Sequence, residues 1–82
     1  MPVVTLYGKP GCHLCDEARE ELLALRAEGA SFELDEVDIE SDEGLLRRFG
    51  ERIPVIELEG VVVSELGLDA DGLRARLATL SR

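Results

Sequence analysis

Apolar and polar positions fall into blocks of different period along this chain. Val3-Val4-Thr5-Leu6-Tyr7 is a short apolar, β-branched run closed by Gly8-Lys9-Pro10-Gly11, and its length and flanks predict a buried strand. The period then lengthens: Leu14, Ala18, Leu22 and Leu25 share one face of a predicted helix, and Gly29 stands where a C-cap glycine belongs. From Phe32 to Ile39 apolar and acidic residues alternate as in a strand, with one slip at Glu36-Val37 that reads as a bulge or a strand end. Ser41 or Asp42 can cap a short helix through Phe49, with Leu45, Leu46 and Phe49 inward and Gly50 as its stop. Val55–Leu58 and Val61–Ser64 flank Glu59-Gly60, the pattern of a hairpin with a two-residue turn. A last helix is predicted over Ala70–Leu80, with Leu73, Leu77 and Leu80 inward. Asp69 is its N-cap, Leu68 and Leu73 form a staple, and Arg74, Arg76 and Arg82 lie toward its negative end.

The order β-α-β-α-β-β-α predicts an α/β fold: a four-stranded mixed sheet flanked by helices on both faces. Its first β-α-β unit should be parallel and right-handed, and its last two strands a hairpin. A length of 82 residues is that of one domain, spanning 1–82. Cys12 and Cys15 are the only cysteines. They fall just beyond the carboxyl end of the first strand, where open α/β sheets place ligands and chemistry.

Charge narrows the functional classes. Eighteen acidic against nine basic residues give a net charge of −9, which excludes nucleic acid and anionic membrane surfaces as expected partners, since both are drawn to basic patches. Seven of the acids lie between Glu33 and Glu43 with no base among them, the composition of a solvated strand face and loop or of a docking patch for a basic partner. No apolar run approaches the roughly 20 residues needed to span a bilayer. The start MPVVTLYGK lacks the basic region and cleavage site of a signal peptide, so a cytoplasmic location is expected. In that reducing compartment disulfides are usually catalytic or sensing.

Three readings of the cysteine pair are open. A structural staple is the weakest, because a loop closed over three residues removes little entropy from the unfolded chain. Helical i,i+3 positions also hold their Cβ atoms about 5–6 Å apart, where a disulfide needs about 3.5–4.5 Å. Cys12 must therefore sit at the helix entrance for the bond to form. A closed zinc site takes four nitrogen or sulfur ligands, and His13, the only histidine, points away from the cysteines at i+1. A metal or iron–sulfur site therefore needs two chains pooling Cys12 and Cys15 across a dimer. A reactive dithiol fits best. The unpaired N–H groups and positive dipole end of a helix favour thiolate over thiol, and such cysteines titrate at roughly 3.5–7.5 against about 8.5 when free. Cys12, nearer the helix entrance, is the expected nucleophile, and Cys15, one turn in, the resolving sulfur. Lys9 and His13 add positive potential at the candidate substrate site, while Asp16 and Glu17 oppose the thiolate.

The run Thr5-Leu6-Tyr7-Gly8-Lys9-Pro10-Gly11-Cys12-His13-Leu14-Cys15, with Val37-Asp38-Ile39 and Arg52-Ile53-Pro54-Val55, resembles the glutaredoxins. It is more closely similar to the short bacterial glutaredoxin-like proteins of the thioredoxin superfamily, over about Val3 to Leu80. The resemblance implies a thioredoxin-like fold and a thiol–disulfide oxidoreductase acting on protein disulfides or glutathione mixed disulfides. It implies a cis Pro54 facing the dithiol, and backbone groups at Ile53 that pair with the substrate chain. It also implies no tightly bound cofactor, glutathione as a candidate co-substrate, a reductase or thiol reductant as partner, and a monomer. Two departures stand out. His13 replaces the usual proline between the cysteines. Where glutaredoxins carry Gly-Gly and an acidic residue, this chain has Ser64-Glu65-Leu66-Gly67-Leu68-Asp69. Glu65 thereby joins the candidate substrate-binding residues, and Glu65 and Leu66 together oppose close approach of anionic glutathione. Asp69 or Asp71 remains to meet its amino group.

Overall fold

The structure is a computed structural model that describes residues 1–80, so Arg82 lies outside the described residues. The elements follow the expected order: β1 Val3–Gly8, α1 His13–Ala27, β2 Glu33–Asp38, a 3-10 turn Ile39–Ser41, α2 Glu43–Phe49, β3 Val55–Leu58, β4 Val61–Glu65 and α3 Ala70–Leu80. The strands form one mixed sheet of order β2-β1-β3-β4, in which β1 is parallel to β2 and antiparallel to β3, and β3 is antiparallel to β4. No helix among the described residues is long and apolar enough to cross a membrane.

Strand alternation divides the core between the two sides of the sheet. Val4 and Leu6 of β1 join Ile56 and Leu58 of β3 beneath Ala18, Leu22 and Leu25 of α1 and Leu73 and Leu77 of α3. On the other side Ile39, Phe49, Ile53 and Val55 form a smaller cluster with Tyr7 and Leu45 against it, and this cluster reaches Cys15. This division explains the slip at Glu36-Val37, which is not a bulge. Pairing of β1 with β2 runs unbroken from Val3 opposite Glu33 to Gly8 opposite Asp38. Phe32 and Leu34 pack into the first cluster and Ile39 into the second. The strand changes the face it buries while its pleat stays regular. The irregularity lies in β4 instead, where the register shifts between Ile56 opposite Ser64 and Glu57 opposite Val62.

Three leucines expected inside are outside: Leu14 and Leu80 are 50% exposed and Leu46 is 44% exposed. The buried stripe of α1 is Cys15, Ala18, Leu22 and Leu25, which leaves Leu14 one position off the face. Helix α2 has seven residues and buries Phe49, with Leu45 half-buried. Helix α3 buries a single i,i+4 step, Leu73 and Leu77. Its last turn carries no basic residue. Arg74 instead reaches Asp71 at 2.8 Å and Glu28, at the end of α1, at 3.2 Å.

The caps are those the sequence offers. The Asp42 carboxylate accepts from the N–H groups of Gly44 and Leu45 at 2.7 and 3.2 Å, and Asp69 accepts from Gly72 at 3.0 Å. Helix α1 ends in a Schellman pattern: Gly29 N–H donates to Arg26 and Ala30 N–H to Leu25. That pattern requires φ +111° at Gly29, which suits a residue without Cβ. Glu59 and Gly60 both adopt positive φ in the two-residue turn between β3 and β4.

Candidate active site

The chain leaves β1 at Gly8, turns through Pro10 and Gly11, and enters α1 at Cys12. The Cys12 N–H donates to the Lys9 carbonyl at 3.3 Å. Cys12 keeps extended backbone angles (φ −88°, ψ 106°) and is the N-cap of α1. Its sulfur takes the place that a capping oxygen usually fills, accepting from the Cys15 N–H at 3.2 Å. Cys12 lies outside the first helical turn, and its extended backbone angles turn its side chain toward Cys15. The Cα atoms of the two residues are 5.2 Å apart, and the pair is joined as a disulfide. Cys12 is half-buried and Cys15 is 3% exposed.

Gly8 matters here for space. A Cβ at that position would stand 3.0 Å from Cys15 Sγ and 3.1 Å from Cys15 Cβ. Beyond Cys15 the first two turns of α1 face the carboxyl ends of β1 and β2 across a cleft of about 340 Å3. Arg19 bridges that cleft. Its guanidinium pairs with Glu36 of β2 and lies 3.4 Å from Asp16, and the hydrogen bond to Glu36 raises its pKa above the ordinary value.

On the other side of the dithiol, Ile53 and Pro54 are buried and joined by a cis peptide bond. Ile53 packs in one cluster with Cys12, Cys15, Tyr7, Phe49 and Val55. Among the described residues, neither its N–H nor its C=O is taken by another backbone group. Phe49 lies behind it, with its ring 4.7 Å from that of Tyr7. The Tyr7 hydroxyl donates to Glu57, the one buried charged side chain among the described residues, at 2.9 Å. Burial and this hydrogen bond push the Tyr7 phenol above its ordinary pKa. The segment before Pro54 is tied to the end of β4 twice: Arg52 pairs with Glu65, and Leu66 N–H donates to the Arg52 carbonyl at 3.0 Å. The Arg52 bond holds the Glu65 carboxyl below its ordinary range.

Comparison with known proteins assigns this arrangement. Residues 3–78 match the family described as Glutaredoxin-like domain (DUF836). The chain belongs to this glutaredoxin-like family. It is 33% identical over 82 residues to an uncharacterized protein of Mycobacterium tuberculosis, a match covering 94% of this chain and 84% of that protein. The solution NMR structure of protein Ne2328 from Nitrosomonas europaea is similar at 32% identity, with a TM-score of 0.81 over 92% of this chain and 89% of that one. A mutant thioredoxin from Halobacterium salinarum aligns at 21% identity with a TM-score of 0.69, covering 99% of this chain and 75% of that one, and shares the fold.

Within this glutaredoxin-like frame the candidate residues separate. Cys12, Cys15 and Ile53 share one cluster, and Pro54 adjoins it in the chain. Lys9 is exposed and lines the cleft beside Cys15. His13 is 86% exposed and faces Glu17 at 3.6 Å, away from the sulfurs as its place at i+1 requires. Glu65 is spent on Arg52 at the end of the hairpin. Asp69 is occupied as a cap and Asp71 by Arg74, so neither amino-group candidate is unpartnered. Among the described residues no group of three or more His, Cys, Asp or Glu side chains is placed to hold a metal ion. Two features escaped sequence reasoning. Glu57 had a signal, a single acid inside the otherwise apolar run Val55–Leu58. The Asp16–Arg19–Glu36 bridge had none, since it joins residues from two elements.

Proposed function

We propose that the protein is a thiol–disulfide oxidoreductase that reduces protein disulfides through Cys12 and Cys15. The observation carrying this reading is the capping position of Cys12, whose sulfur receives the Cys15 N–H at 3.2 Å. In the reduced protein the same N–H, with the positive end of α1, stabilises a thiolate on Cys12. That thiolate attacks one sulfur of a substrate disulfide, the second substrate sulfur leaves as thiolate, and a mixed disulfide on Cys12 results. Cys15, deprotonated, then attacks Cys12 Sγ and expels the remaining substrate sulfur, which leaves the Cys12–Cys15 disulfide. An external thiol or a reductase restores the dithiol.

The unpaired N–H and C=O of Ile53 support the substrate half of this reading. An extended peptide can add its backbone there as a strand adds to a sheet edge. Glu65 and Leu66 put bulk and negative charge where glutaredoxins carry a glycine pair, which favours a protein disulfide over glutathione mixed disulfides. The reading includes a monomer working in a reducing, cytoplasmic setting.

Reduction of insulin and of a glutathione mixed disulfide, compared in wild type, Cys12→Ser and Cys15→Ser, tests it. Cys12→Ser is expected to bring both rates to the uncatalysed level, and Cys15→Ser to accumulate a stable mixed disulfide on Cys12. Wild-type protein that reduces neither substrate, or Cys12→Ser that still reduces both, overturns the proposal.

A further inference from the structure

Among the described residues, two that carry a side chain adopt positive φ: Glu59 at 51° and Leu66 at 61°. The hairpin accounts for Glu59. It shares the two-residue turn with Gly60, its N–H donates to the Val3 carbonyl at 3.0 Å, and its carboxylate accepts the Val3 N–H at 3.2 Å. The fold asks for no leucine at position 66. The Leu66 N–H donates to the Arg52 carbonyl at 3.0 Å, a bond that glycine or asparagine would make from the same backbone with less strain. Its side chain is 63% exposed, so burial does not offset that strain. Strain held where the fold does not need it points to a functional position.

The surroundings say which function. Through its N–H, Leu66 is tied to the residue before Ile53, whose own backbone groups are open to a substrate strand. A second exposed leucine lies on the same side of the dithiol. Cys15 packs over Gly8 of β1. Successive helical residues are about 100° apart: Asp16 turns to the cleft beside β2, so Leu14, on the other side of Cys15, leaves α1 toward β3 and β4. Leu14 is 50% exposed. With Glu65 held by Arg52, what the end of β4 offers a visitor is apolar. The occupant that fits is the substrate itself, because an extended segment added at Ile53 carries side chains alternately on its two faces.

We propose that Leu66 is a specificity-determining residue, which with Leu14 seats an apolar side chain beside the substrate's disulfide cysteine, at the adjacent position or the one beyond it. The inference rests on the redox reading of the pair and narrows its protein disulfides to those set in apolar sequence.

The test uses short synthetic peptides oxidised to symmetrical disulfides, with leucine or the near-isosteric, uncharged asparagine at each of those positions in turn. Reduced protein is mixed with each peptide and the rate constant of its oxidation is measured. At one position or more, wild type is expected to react about tenfold faster with the leucine peptide; equal rates at every position overturn the proposal. Leu66→Asn keeps a residue that tolerates the left-handed region. It is expected to abolish the preference and to leave the urea midpoint at or above that of wild type. Leu66→Met, apolar and similar in volume, is expected to retain the preference. A preference that survives Leu66→Asn, a preference lost in Leu66→Met, or a midpoint that falls in Leu66→Asn overturns the assignment, the last by making the side chain a structural one. Leu14→Asn is expected to narrow the preference to about threefold, and an undiminished preference overturns the part given to Leu14. Reduced wild type that no peptide disulfide oxidises refutes the redox reading itself, whereas oxidation at equal rates by leucine and asparagine peptides refutes only the role of Leu66.

Discussion

Asp16 follows Cys15 directly, and its backbone N–H donates to the Cys12 carbonyl, so a carboxylate sits within a turn of the Cys12 sulfur. Its field is moderated by Arg19, 3.4 Å away. Two unit charges about 4 Å apart interact by roughly 1 kcal/mol in water and roughly 4 kcal/mol at an effective dielectric of 20, so removing either partner should be felt at the sulfur. Asp16→Asn is expected to lower the Cys12 pKa, and Arg19→Ala to raise it, in an alkylation-rate titration; a curve unmoved by both changes would show that the helix terminus alone sets the thiolate. Tyr7 offers a second readout, because it is the only tyrosine and there is no tryptophan. Glu57→Gln should lower its raised phenol pKa without bringing it to the ordinary value, since burial is the larger cause and the hydrogen bond the smaller. The sign for stability follows: a phenol raised in the folded state contributes below its unfolded pKa, and that contribution is lost as pH rises through the folded value. Phenolate absorbance, followed with unfolding at alkaline pH, checks both. At Glu65 the shift is opposite. Its carboxyl is lowered by Arg52, so whatever stability the pair gives is present above the ordinary carboxylate range and lost as pH falls through the lowered value. Arg52→Ala should return the Glu65 resonance to an ordinary titration.

Elements were legible where a signal was local and ambiguous where it depended on a partner. The cysteine pair, the hairpin turn at Glu59-Gly60 and the caps Asp42 and Asp69 are each written within a few residues, and each stands where expected. Leu14, Leu46 and Leu80 misled because helical periodicity names a stripe but not its limits, which are set by how much sheet each helix covers. The phase slip in β2 misled for a related reason: one strand buries different faces at its two ends. The cis bond at Pro54 came from the family resemblance and had no warrant in spacing. Helix α2 links this scale to the site, since it carries Phe49 behind Ile53. Asp42→Ala leaves the N–H groups of Gly44 and Leu45 unpaired and is expected to cost about 1 kcal/mol in urea unfolding. Leu22→Ala, at a fully buried position on α1, should cost about 2–5 kcal/mol. The first change should also weaken substrate binding, and the second should leave it intact.

Across the whole molecule, charge is distributed unevenly. The acids of β2 and the turn after it occupy an edge strand, where charged side chains discourage pairing with another chain's strand. With a net charge of −9, peptide disulfides flanked by Lys or Arg are expected to react faster than matched peptides flanked by Asp or Glu. The gap should narrow as salt is raised from low concentration toward 1 M, where the Debye length falls to about 3 Å. Equal rates at low salt would remove electrostatic steering from the account. The position of β1 carries one more consequence. It has a hydrogen-bonded neighbour on each side, and its last residue leads straight into the cysteine turn. Amides in such a doubly flanked strand exchange with solvent only through the largest openings of a protein. Deuterium should therefore enter β4 and the end of α3 long before it enters β1. The cysteine pair, where the proposed cycle breaks and remakes a covalent bond, would then be mounted on the part that opens least.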